Sequence, residues 1–204
     1  MRLVIGMIHF LSSSIASGLF RNGIIDEEKV PVCQYGFELI ISTAIGFFLV
    51  MLSGIIFEQA LSALIFYSLF VIVRLFTGGY HAASHLRCKT VLVCCCISVL
   101  VMSELLNQYS GVLLNTVLLI PYMTAVIMFA PVEHINIPMT EEKRIRNRRI
   151  SVITAITLTS ANLVCCIFIP GISVVISLTL LVIAVLIIIS KIQERRKSDY
   201  EKDC

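Results

Sequence analysis

Residues 172–190 read ISVVISLTLLVIAVLIIIS, a run without a single charged side chain. A helix rises about 1.5 Å per residue, so a run of this length spans most of the roughly 30 Å hydrocarbon layer of a bilayer. Working outward from it, five further apolar runs lie upstream, at Phe37–Phe57, Ala60–Phe76, Thr90–Leu106, Gly111–Ala130 and Ile150–Ile169. The run at 60–76 is the shortest and is expected to continue past Arg74. Polar or Pro/Gly breaks separate the runs. The chain as a whole is 58% hydrophobic and 14% charged, with a mean hydropathy of +0.96. This composition departs far from that of soluble domains. It predicts an all-α integral membrane protein, one membrane domain over residues 1–204 with six transmembrane helices.

The placement of the basic residues predicts the orientation. Arg2, Arg21 and Lys29 precede the first run; Arg74, Arg87 and Lys89 stand at or between the second and third. Lys143, Arg144, Arg146, Arg148 and Arg149 lie between the fourth and fifth, and Lys191, Arg195, Arg196, Lys197 and Lys202 follow the sixth. The opposite connections, around Glu58, at 107–110 and at Pro170-Gly171, carry no Lys or Arg. The positive-inside rule therefore puts both termini in the cytoplasm. Merging or dropping one run would scramble this alternation.

Residues 1–20 repeat Val4, Ile8, Leu11, Ile15 and Leu19 at helical spacing, interrupted by Ser12, Ser13 and Ser14. This predicts an amphipathic interfacial helix suited to anchoring or to docking an amphipathic substrate. A signal peptide is the rival reading, but a single Arg2 makes a poor basic leader. Residues 21–36 are expected to form a polar connection. Pro131 and Pro138 break the loop at 131–149, whose basic end suits anionic headgroups. The tail at 193–204 is polar and expected to be loosely ordered. The eight cysteines lie mostly within apolar runs or on the reducing side, so disulfides are not expected. Cys94–Cys96 and Cys165–Cys166 read as small packing residues.

One segment concentrates reactive groups. Residues 74–89 read RLFTGGYHAASHLRCK, placing two of the four histidines and a cysteine at the edge of the membrane. A thiol attacks as the thiolate, which needs a positive environment. Cys88 has one, near the start of the third span and between Arg87 and Lys89. A nearby imidazole would take its proton and return it to the leaving amine. On one straight helix His81 would lie about 10.5 Å from Cys88 along the axis, leaving His85 as the neighbour. Gly78-Gly79 permits a sharp turn that would instead bring His81 back over the third span. Spacing alone slightly favours His85.

Arg74 followed by Thr77-Gly78-Gly79-Tyr80-His81-Ala82 and then Cys88 resembles the signature of the accessory gene regulator B (AgrB) family of bacterial membrane endopeptidases. The likeness extends to length, to Tyr35-Gly36 at the first span and to the Pro-containing loop before a basic stretch, although only the His–Cys segment is specific. It implies His81 and Cys88 as the catalytic pair, with His85 an extra. It further implies a cell-membrane enzyme, active site inside, that removes the C-terminal tail of an AgrD-like propeptide. The acyl-enzyme thioester would then close a thiolactone or lactone ring when an internal Cys or Ser displaces Cys88. Water exclusion at the membrane edge favours cyclisation over hydrolysis. The product would be a quorum-sensing peptide. A homodimer is also implied, and neither a cofactor nor a nucleic-acid partner is.

Supporting roles follow from chemistry. N–H groups at the start of the third span, that of Cys88 included, are the readiest oxyanion donors, with Gln34 and Arg74 as candidate helpers. Glu38 would orient His81 or receive a basic substrate group. Gly78 and Gly79 shape the turn. A rival reading gives His81, His85 and Cys88 to zinc, but Ala82 stands where H-E-x-x-H metalloproteases carry their glutamate. A small transporter is the other rival, opposed by the near absence of charge in mid-span.

Overall fold

The computed structural model of the chain describes residues 2–77, 85–131 and 140–202, with the side chains of 2–8, 85–87 and 195–202 outside the description. It is all-helical, with helices α1 (Arg2–Arg21), α2 (Val30–Ile56), α3 (Ala60–Thr77), α4 (His85–Leu106), α5 (Val112–Phe129), α6 (Glu141–Phe168) and α7 (Pro170–Lys202). Short 3-10 turns at Glu27–Lys29 and Asn107–Tyr109 lead into α2 and out of α4. The six helices α2 to α7 are each long and apolar enough to cross a membrane. Every backbone N–H and C=O in hydrocarbon must be satisfied, and helices do so within their own length.

Several helices outrun their apolar cores. α2 starts at Val30 with Pro31 in its first turn, not at the apolar boundary Phe37. Proline's fixed φ and missing N–H suit the opening turn of a helix, so residues 30–36 join α2 rather than forming a loop. Gln34 and Glu38 thereby fall on one face, a turn apart. α7 likewise continues as helix to Lys202, through the tail expected to be loose.

α7 is the central helix. Just over half of its apolar stretch is buried, 56%, against 22–28% for the other five spans. It packs against α3, α4, α5 and α6. Val174, Leu180, Ala184 and Ile187 are its innermost apolar residues, meeting Val50, Phe66, Leu100 and Tyr122 in one core. The outer faces carry residues such as Leu113, Leu75 and Phe168, all more than 70% exposed, as lipid-facing residues should be.

Two close approaches set the packing. Gly54 of α2 lies so near α3 that a Cβ would collide with Ala63 Cβ. The intervening turn is only Phe57–Gln59, closed by bonds from the Phe57, Glu58 and Gln59 N–H groups to Ser53, Ile55 and Gly54 carbonyls. Glu58 takes φ +56° there, the left-handed conformation that terminates many helices.

A buried polar chain ties α5, α6 and α7. The Asn115 side-chain amide donates to Cys166 Sγ at 3.2 Å, and Asn115 Oδ1 accepts from Ser177 Oγ at 2.6 Å. Asn162 Nδ2 in turn donates to Ser177 Oγ at 2.7 Å.

Candidate active site

The chemistry-bearing segment joins α3 to α4. Arg74 lies in the last turn of α3 and Cys88 is the fourth residue of α4. The fold brings them together: Arg74 Nη1 donates to Cys88 Sγ at 3.7 Å. The guanidinium also lies over the Phe70 ring, 5.6 Å from its centroid. Phe70 is in turn stacked on Phe66, centroids 5.6 Å apart, and both rings are buried. Phe66, Phe70, Arg74 and Thr77 share one face of α3 because these positions recur at helical spacing. Thr77, also buried, closes that face with a bond from its hydroxyl to the Val73 carbonyl at 3.0 Å. An aromatic floor and a sulfur thus fix the planar guanidinium from two sides.

Lys89 adds a second cation. The residue is only 8% exposed, and among the described residues no carboxylate pairs with it.

Because α4 begins at His85, the unpartnered N–H groups of its first turn belong mainly to residues before the thiol. His81, Gly78 and Gly79 lie outside the described residues, and so does the side chain of His85. The H-x3-H-x2-C arrangement therefore lies mostly outside them too. The seven described cysteines are free thiols, Cys94, Cys95 and Cys96 pointing from lipid to core in sequence around α4.

Gln34 and Glu38 meet a different neighbour. Gln34 Nε2 lies 3.1 Å from His9 Nε2, and Glu38 Oε1 accepts a hydrogen bond of 3.3 Å from the Ser12 hydroxyl, itself also bonded to the His9 carbonyl. The two residues dock α1 onto α2. Ser12 and Ala16 are buried in that seam, while Phe10, Leu11, Ile15 and Phe20 of α1 remain exposed.

Sequence reasoning did not single out His9 and Ser12 as partners. Their three-residue spacing against the four-residue spacing of Gln34 and Glu38 is the signal that two polar helix faces match. Lys89 was visible only as a flanking charge, since burial is not written in a sequence.

Comparison with known proteins agrees with this picture. The family model described as accessory gene regulator B matches residues 12–193. An AgrB-like protein 2 of Clostridium perfringens strain 13 is 32% identical over 143 residues, covering 68% of this chain and 67% of that protein. An AgrB-like protein of Clostridium perfringens strain SM101 matches to the same extent, 32% over 143 residues. No solved structure matches the chain.

Proposed function

Given that the chain belongs to the accessory gene regulator B family, we propose that it is a membrane-embedded cysteine endopeptidase that matures an AgrD-like propeptide. The observation that carries this reading is the Arg74 guanidinium at 3.7 Å from Cys88 Sγ, a fixed cation beside a thiol at the end of a membrane helix. A structural cysteine needs no such neighbour, whereas a nucleophilic one uses it as a counter-charge.

In the proposed reaction His81 takes the Cys88 proton as the sulfur attacks the carbonyl carbon of the scissile bond. The C–S bond forms and the carbonyl π pair moves to oxygen. On collapse the C–N bond breaks, and the departing amine of the C-terminal tail takes the proton from His81. A thioester on Cys88 remains. An internal Cys or Ser of the peptide, giving its proton to His81, then attacks that thioester; the ring closes as a thiolactone or lactone, the bond to Cys88 sulfur breaks, and the thiolate takes the proton back. The basic residues at the end of α3, at the start of α6 and along the end of α7 support a site, and both termini, on the cytoplasmic side. The enzyme is proposed to act as a homodimer.

The test is co-expression with a candidate precursor from a neighbouring small reading frame, cleavage being followed by mass. Cys88→Ala, Cys88→Ser and His81→Ala each leave the precursor uncut, and His85→Ala leaves cleavage in place. Cleavage that survives Cys88→Ala would end the cysteine-peptidase reading. Dependence on His85 but not His81 would exchange the base.

A further inference from the structure

Arg74 stands where its charge has a better-hydrated place to go. It occupies the last turn of α3, at the end of a helix long and apolar enough to cross a membrane. An arginine in such a position ordinarily snorkels, stretching its stem until the guanidinium reaches water and headgroup phosphates. Arg74 is half-buried instead. Its guanidinium carbon lies 5.6 Å from the centroid of the Phe70 ring, one turn further into the same helix, and Nη1 lies 3.7 Å from Cys88 Sγ. The cation is thus held beside the thiol and over a ring, against the pull of the membrane surface.

Phe70 is built to do the holding. It is 5% exposed, and its ring is stacked on that of Phe66, with centroids 5.6 Å apart and planes 29° from parallel. Phe66 is fully buried, so the two rings form one braced platform. For packing alone, an aliphatic side chain of similar size would serve at position 70 at little cost. What an aliphatic lacks is the negative face of the ring. That face attracts a cation lying within about 6 Å of its centroid, and more strongly where water is excluded.

We propose that Phe70 is a positioning residue of the reaction: its ring face, braced by Phe66, keeps the Arg74 guanidinium against Cys88 Sγ, so that the sulfur has its counter-charge before a substrate arrives. This rests on the peptidase reading above. Phe70 acts through Arg74 and not on the reacting atoms. A charge already in place at the moment of attack costs no reorganisation during it.

The test reads the thiol itself and needs no precursor. The full-length protein in lipid nanodiscs is treated with iodoacetamide, which alkylates the thiolate, and modification of Cys88 and Cys33, both partly exposed, is followed by peptide mass spectrometry. Rates are taken near neutral pH and at about pH 10, where a surface thiol is ionised with or without a counter-charge, so their ratio cancels any change in access. Arg74→Met is expected to lower the Cys88 ratio about tenfold and Phe70→Leu about threefold or more, with Cys33 near the start of α2 unmoved. Phe70→Tyr, which keeps the ring face, should stay within about twofold of the native ratio. Adding Phe70→Leu to Arg74→Met should lower the ratio no further, since the ring then has no cation to hold. An unchanged ratio in Phe70→Leu, or an equal drop on that substitution in both backgrounds, would overturn the role of Phe70 and leave the peptidase reading standing. An unchanged ratio in Arg74→Met would instead remove the counter-charge, and with it the observation that carries the peptidase reading.

Discussion

Arg74 shows how much one side chain can be asked to do at a membrane edge. Its stem belongs to the last turn of an apolar helix, its plane rests on Phe70 and its fork reaches Cys88. A lysine at 74 would keep the charge but lose the plane that stacks and the fixed direction of its donors. Arg74→Met is expected to slow precursor cleavage at least about tenfold, the loss typical of one charge-assisted contact to a reacting group. Arg74→Lys should recover part of that rate. A single-turnover rate equal to that of the native protein in Arg74→Met would show that the contact is packing alone. Gln34 and Glu38 call for the opposite expectation, since their partners are His9 and Ser12 of α1. Gln34→Ala with Glu38→Ala should loosen α1, making it more sensitive to limited proteolysis, while precursor cleavage is retained. Loss of cleavage in that pair would connect them to the chemistry.

Among the elements, the α2–α3 hairpin carries the tightest constraint. Gly54 admits the backbone of α3 so closely that any larger residue must push the two helices apart. Gly54→Leu is expected to cost about 1–3 kcal/mol through overpacking, read as a lower thermal midpoint in detergent. At the end of the same helix Glu58 holds φ +56° without being glycine. Glu58→Gly should therefore raise the midpoint, by about 1 kcal/mol of stability. A fall on that substitution would mean that the Glu58 side chain contributes more than its backbone costs.

This hairpin also shows where reading stops. The break between the first and second apolar runs was legible from Glu58-Gln59, but Gly54 sat unnoticed inside a run. Its role depends on which face of α2 meets α3, and a run that is apolar all round carries no such mark. The start of α2 was misjudged for a related reason: hydropathy reports where hydrocarbon begins, whereas a helix begins where its backbone bonds can. Val30 and Pro31 satisfy the second condition seven residues before Phe37 satisfies the first.

For the whole molecule, α7 acts as the axis and the polar chain Asn115–Ser177–Asn162 fixes its rotation against α5 and α6. Lipid tails give no hydrophobic drive between helices, so close packing and such bonds decide how apolar helices fit. Asn115→Leu removes two of these bonds at once and is expected to cost about 1–2 kcal/mol, measured by unfolding in mixed micelles. An unchanged midpoint would leave register to packing alone. The proposed topology has its own test. Alkaline phosphatase fused after Tyr109 should be active and the same enzyme fused after Lys197 inactive, and the reverse pattern would invert the protein.

The sequence by itself determined the membrane class, the six long apolar helices and the segment in which Cys88 lies, because each of these depends on composition and order along the chain. It also nominated Arg74, though only as one helper among several. What the tertiary structure decided is who meets whom: Arg74 with Cys88, and Gln34 and Glu38 with α1. The physical reason is that a long apolar helix advertises its depth in the bilayer but not its rotation about its own axis. Rotation is fixed by contacts such as the Gly54 approach and the Asn115 chain, which arise only when the helices assemble.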